Sequence, residues 1–395
     1  MTHTPAFARI YVGNSVQKGE WIMRNIKQVI ITVSCLSVLL ILFAVDTSAC
    51  TGIRLIAKDK SVVYGRTLEW GAFDMKSRVA IVPRGYGFTG QTPDGYNGKR
   101  WTTKYGFVAI DLLEKDIFAD AMNEKGLAIG IFYHPGYASY MAYDKTKASN
   151  TITAVDVISY ILGNFATVEE AAEGMKDLRV VGVVEEAFGI EAPGHWMVVD
   201  RSGRSIVIEY LNGEMKIFEN PLGVITNAPE YSWHMTNLRN HVNLSAVALP
   251  GLKLEDIDFK PLGGGSGMIG LPGDYTPPSR FVRAVAWTQT ARPTETSTET
   301  IYEVFRILDG FNLPLGSAEG SGQKKKSLEG MRCSTIWTSA WDLNEGIFYY
   351  HTQHNRRVRL LRMTKLDFSK NPDKIVRLPL DKEKRQDYED ITPAE

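Results

Sequence analysis

Chemistry in this chain is most plausible at Cys50, which follows the small residues Thr47-Ser48-Ala49. A chain cut between Ala49 and Cys50 would start with a residue that carries both an α-amine and a thiol. A free α-amine titrates at about 7.7–8.0 and a thiol at about 8.5. The amine can therefore take the thiol's proton with little mismatch, and nucleophile and base share one residue. The segment upstream fits such a cut. Met23-Arg24-Asn25-Ile26-Lys27 is basic, Val29–Val45 is apolar, and the small residues complete a secretory signal layout over residues 23–49. An apolar run of this length is at the low end for spanning a membrane, so a signal peptide is expected rather than an anchor. Residues 1–22 read as an over-extended start ahead of Met23. A lipid-carrying Cys50 is the competing reading, although Thr47 stands where lipidation prefers an aliphatic residue. Residues 50–395 are expected to form a single catalytic domain, periplasmic or secreted.

Composition narrows the partners. Lys+Arg and Asp+Glu both number 45, so the formal net charge is zero, and no basic stripe invites nucleic acid. The expected partner is a small molecule, with membrane contact only through the signal peptide or a lipid on Cys50. The other cysteines are Cys35, lost with the leader, and Cys333, read as an isolated thiol. His351 and His354 have no evident third ligand and are expected in a surface loop, so no metal and no cofactor is implied. Gly263-Gly264-Gly265-Ser266-Gly267 lacks a following Gly-Lys-Ser/Thr and is expected to be a loop.

The elements that must position Cys50 alternate in blocks. Strands are expected at Ile53–Ala57, Val62–Leu68, Val79–Pro83, Phe107–Leu112 and Leu127–Tyr133. Helices follow at Ala154–Leu162 and Thr167–Leu178, the second opened by the capping box Thr167-Val168-Glu169-Glu170. Strands return at Trp196–Val199, Ser205–Tyr210, Met215–Phe218 and Gly223–Thr226. Helices at Tyr231–Asn240, Arg280–Thr288 and Thr300–Leu308 precede strands at Ser334–Trp341, Ile347–Tyr350 and Val358–Met363. Such an order suggests an α+β fold of antiparallel sheets covered by helices.

Several blocks in this order carry a resemblance. Cys50-Thr51-Gly52 and Gly65-Arg66-Thr67-Leu68-Glu69-Trp70 resemble the start of the choloylglycine hydrolase and penicillin V acylase family. The likeness continues through Asp120–Leu127 and Pro135-Gly136-Tyr137-Ala138, then Gly223–Pro229 and Thr236–Arg239, and ends with Leu271–Asp274 and Ser279–Arg283. What the resemblance implies is a four-layer αββα sandwich of the N-terminal-nucleophile type. It also implies a homotetramer that hydrolyses linear, non-peptide amides. Cys50 matches the nucleophile and Arg66 an arginine beside its thiol. Asn227, with the backbone N–H of Tyr133, matches the oxyanion hole, and Arg280 a second arginine of the site. Glu69 stands where the family usually has aspartate to orient the amine, one methylene longer. Trp70, Tyr133 and Tyr137 are expected to line the acyl pocket. Conjugated bile acids, penicillin V and N-acyl homoserine lactones remain as substrates. The aromatic residues favour phenoxyacetyl amides.

Overall fold

Cys50 opens the first strand of the computed structural model, which describes residues 50–71, 74–187, 189–318 and 334–393. Cleavage-site residues and Cys333 lie outside the described residues. The β-branched runs become strands of two antiparallel sheets. The first sheet is built from β1 (Cys50–Ile56) and β2 (Val62–Trp70), with β10 (Val224–Ile225), β11 (Ser334–Asp342), β12 (Ile347–Thr352) and β13 (Arg359–Arg362). Its order is β10-β1-β2-β11-β12-β13.

The second sheet contains β3 (Arg78–Val82), β4 (Phe107–Leu112), β5 (Ile117–Asn123), β6 (Ala128–Tyr133), β7 (Gly194–Val199), β8 (Ser205–Leu211), β9 (Glu214–Glu219) and β14 (Val376–Pro379). Their order is β9-β8-β7-β6-β5-β4-β3-β14. Side chains alternate between its two faces. Met197, Val199 and Val207 join the core shared with β1 and β2, whereas Trp196, Val198, Ile206 and Ile208 join a second core with α1 (Val157–Asn164) and α2 (Val168–Gly174). On the far side of the first sheet lie α4 (Pro277–Thr290) and α5 (Ser297–Asp309). Helix, sheet, sheet, helix is the αββα sandwich expected from the sequence.

Local choices agree with this layering. Thr167 caps α2 by accepting from Glu170 N at 3.1 Å, whereas the Glu170 carboxylate accepts from Ala166 N, one residue before the cap, so only the first half of the expected capping box forms. Close packing of α5 on β2 depends on Gly65, where a Cβ would sit 2.5 Å from Val304 Cγ1. Trp341 is fully buried on β11, and its truncation to alanine would cost about 3–5 kcal/mol.

Some expectations fail. Helix Thr167–Leu178 stops at Gly174. Helix Tyr231–Asn240 ends earlier, with α3 at Tyr231–Asn237 followed by a 3-10 turn at Leu238–His241. His351 is not on a surface loop. It lies on β12, 4% exposed and packed 5.4 Å from the Phe305 ring, because the strand continues past Tyr350 and turns this position inward.

Candidate active site

Cys50 is buried at the first position of β1, paired with Leu68 of β2. Its nitrogen donates to Asn227 Oδ1 at 2.8 Å, and its thiol accepts from the backbone N–H of Glu69. Burial pushes the thiol up, while the nearby Arg66 guanidinium pulls it down. The Cys-Thr-Gly motif has a packing reason at its third residue. A Cβ on Gly52 would come 2.5 Å from the Phe132 ring, and that ring supports the Arg66 guanidinium at 4.3 Å.

Arg66 fills a gap in the second sheet. β5 and β6 stay in register from Met122–Ala128 to Asp120–Gly130 and then part. There Arg66 Nη1 donates to Ala119 O on β5, at 2.9 Å, and to Ile131 O on β6. Its Nη2 is buried with no hydrogen-bond partner among the described residues, at the cavity that also exposes Cys50. A fixed cation with an uncommitted donor beside a thiol favours the thiolate and could also bind an anionic or carbonyl oxygen.

The other sequence-expected residues approach from three directions. Asn227 follows β10. Its Oδ1 accepts from Cys50 N and from Arg280 Nη2, at 2.8 and 2.5 Å, and its Nδ2 donates to Tyr133 O at 2.7 Å. Arg280 comes from the first turn of α4 and also donates to Cys50 O and, at 2.9 Å, to Thr51 Oγ1. That turn is built by the sequence block before it. Asp274 Oδ1 accepts from Thr276 N at 2.8 Å, and Arg283 Nη1 holds Pro272 O and Asp274 O at 2.8 and 2.6 Å.

Tyr133 pairs with Gly194, and the adjacent bond runs from His134 N to Pro193 O. The pair is thus of the non-hydrogen-bonded kind, so the N–H and C=O of Tyr133 point away from β7, toward Asn227. Glu69 lies on the opposite face of β2 from Arg66. Its Oε1 accepts from Thr335 Oγ1 at 2.8 Å, and its Oε2 is buried without a partner among the described residues. Burial pushes Glu69 up to about 7, against the pull of Arg280.

A cavity of about 70 Å³ lies in front of Cys50. Its apolar wall includes Leu68, Trp70, Met75, Leu112, Ile117 and Val155. Trp70 meets Tyr133 edge to face, with ring centroids 5.7 Å apart. Tyr137 does not line this cavity; it is 44% exposed and stacks on His134 at 5.6 Å. Missing from the sequence reading was a buried group behind Asn227: His134, His195, Glu209 and His234. Continuing the hairpin register of Trp196 with Ile208 across the turn at Asp200–Arg204 places His195 opposite Glu209, which was the available signal.

Comparison with known proteins supports what the geometry suggests. The description "Linear amide C-N hydrolases, choloylglycine hydrolase family" matches residues 50–377. A bile salt hydrolase/transferase of Clostridium perfringens is 32% identical over 324 residues, covering 82% of this chain and 94% of that protein. A penicillin V acylase of Pectobacterium atrosepticum is 28% identical over 286 residues, covering 69% and 68%. Among solved structures, a mutant of the conjugated bile acid hydrolase from Clostridium perfringens superposes with a TM-score of 0.74 at 30% identity, covering 87% of this chain and all of that one. The penicillin V acylase from Agrobacterium tumefaciens gives 0.65 at 26% identity, covering 84% and 91%. The chain belongs to the choloylglycine hydrolase family of linear amide C–N hydrolases.

Proposed function

We propose that the mature enzyme begins at Cys50 and hydrolyses acyl amides through a thioester on that residue. The observation that carries this reading is the convergence on Cys50. Its nitrogen is held by Asn227, its thiol lies beside Arg66, and an apolar cavity opens in front of it. In the reaction, the freed amine takes the thiol proton and the sulfur attacks the acyl carbon. The second amide hydrogen of Asn227, with Tyr133 N–H, receives the oxyanion. One such donor lowers the barrier by about 3–4 kcal/mol. The C–N bond then breaks as the ammonium returns a proton to the leaving nitrogen. Water, deprotonated by the same amine, attacks the thioester and releases the carboxylic acid and thiol. Glu69 Oε2 is the acceptor that would orient the additional hydrogens of a freed ammonium.

The acyl group is proposed to be flat and aromatic. Trp70 and Tyr133 offer ring faces and edges against which a flat acyl ring can pack. The second reading is a conjugated bile acid, favoured by the higher identity, 32% against 28%, to the bile salt enzyme. A panel of penicillin V, glycocholate and an N-acyl homoserine lactone, assayed for released amine, separates them. Higher kcat/KM on penicillin V is expected, and a clear preference for glycocholate would reverse the ranking.

Export to the periplasm or medium is proposed from the leader, and the intact mass of the exported protein tests it. A free Cys50 terminus supports the enzyme, whereas a diacylglyceryl adduct supports a lipid-anchored binding protein. Homotetramer formation is proposed as well. Leu252, Leu254, Ile257 and Phe259 form the apolar cross-strand pairs of an exposed hairpin, and such a surface favours burial against another copy. Light scattering should report a tetramer that Leu254→Asp with Phe259→Asp dissociates; a monomeric wild type contradicts it.

A further inference from the structure

Behind Asn227 lies a buried polar group that the proposed reaction does not use. Glu209 and His195 face each other on β8 and β7, with His195 Nδ1 2.9 Å from Glu209 Oε1. The other ring nitrogen, Nε2, is 3.1 Å from Thr226 O, the carbonyl of the residue before Asn227. Glu209 also accepts from Tyr231 N, at 3.0 and 3.2 Å, on the far side of the same segment. His234 Nε2 bonds Asn227 O at 2.9 Å. Thr226 through Tyr231 is therefore clamped at three backbone points.

Proton count defines the clamp. A carbonyl only accepts, so His195 Nε2 must carry a hydrogen. The short contact between Nδ1 and Oε1 then needs one further proton. Either Glu209 is a carboxylic acid donating to a neutral ring, or His195 is an imidazolium against a carboxylate. Burial pushes Glu209 up to about 7 and His195 down to about 3, which places the proton on Glu209. A metal reading of His134, His195 and Glu209 fails on geometry. The two rings are parallel within 2° at 4.1 Å, so their lone pairs lie in separate planes and do not converge on one ion.

We propose that the Glu209–His195 pair, sharing a single proton, is a positioning couple that holds Thr226 O and thereby aims the Asn227 amide at Cys50. The inference rests on the proposed role of Asn227. Loss of the shared proton would set two acceptors against each other and release the segment. The groups facing the pair are His134 beyond β6, His234 and Tyr231 from α3, and Arg66 from β2.

Glutamine is the diagnostic replacement, because its amide donates to His195 Nδ1 and accepts from Tyr231 N without titrating. On whichever panel amide the wild type hydrolyses fastest, Glu209→Ala and His195→Phe should lower kcat about 30-fold with KM within about two-fold. Glu209→Gln should restore at least about a third of kcat and move the alkaline limb of the pH profile upward. The rate of Cys50 alkylation by iodoacetamide at neutral pH, which needs no substrate, should follow the same order. Glu209→Gln as impaired as Glu209→Ala, or His195→Phe matching the wild type, would overturn the proposal. Asn227→Ala separates this failure from that of the site itself. An inactive Asn227→Ala beside unimpaired Glu209 and His195 variants sinks only the couple, and a fully active Asn227→Ala sinks the oxyanion role on which it rests.

Discussion

In front of Cys50 the protein presents hydrocarbon; behind it, a lattice of directed hydrogen bonds. The front wall, with Leu68, Leu112, Ile117 and Val155, makes non-directional contacts that scale with area. The back wall joins Arg280, Asn227, Thr226, His195 and Glu209 through bonds of 2.5 to 3.1 Å. Volume-conserving changes in the front should re-rank substrates and leave the chemistry intact. A change behind leaves a buried polar atom unpaired or moves the oxyanion donors, and either outcome falls on kcat.

The comparison breaks most sharply at the boundary itself. Cys50→Ala should keep the fold and lower turnover by about 10⁴-fold or more, since a methyl cannot attack, and circular dichroism with an amine-release assay checks both halves. Cys50→Ser should retain little activity because a hydroxyl is far less acidic than a thiol. Beside the thiol, Glu69→Gln should reduce kcat about ten-fold, with Glu69→Asp much milder. Comparable losses would make length rather than charge the requirement. On the front wall, Trp70→Ala should cost about 1 kcal/mol in kcat/KM for an aromatic acyl amide, and less for a straight acyl chain.

The smallest effect is on stability. His134, His195 and His351 are pushed down to about 3 and His234 to about 4, all chiefly by burial. Unfolded histidines bind protons near 6.5, so these four destabilise the fold as pH falls through that value. Glu69 and Glu209, raised to about 7, act in the opposite sense between their unfolded value of 4.5 and 7. Asp120 and Asp156 are also pushed up by burial and act with the glutamates, and the prediction is that the histidines outweigh these carboxylates, so that the melting temperature falls between pH 6.5 and 4.5. A rise on acidification would mean that the carboxylates dominate.

Legibility followed the same division. The helices and their cap were readable because amphipathic period and capping chemistry are local. Strand β5 was not, since Ile117–Asn123 is buried on both faces and shows no alternation. Cys50 was raised by its place after the small residues of the leader and decided by the family likeness, whereas Arg66, Asn227 and Arg280 were identified by that likeness alone. Composition or spacing alone would leave the two arginines as surface cations, whereas both are buried. His195 and Glu209 are 14 positions apart and meet only through strand register, which a scan of side-chain types along the chain does not display. Tyr137 was assigned to the pocket by motif, but the turn after β6 directs it outward onto His134.

The central claim is that the working base is the freed amine of Cys50. Two preparations test it directly: one starting at Cys50, and one retaining residues 23–49 through a bulky replacement at Ala49. Assayed side by side for amine release, with termini verified by intact mass, only the first should turn over substrate. Full activity in the uncleaved chain would contradict the account.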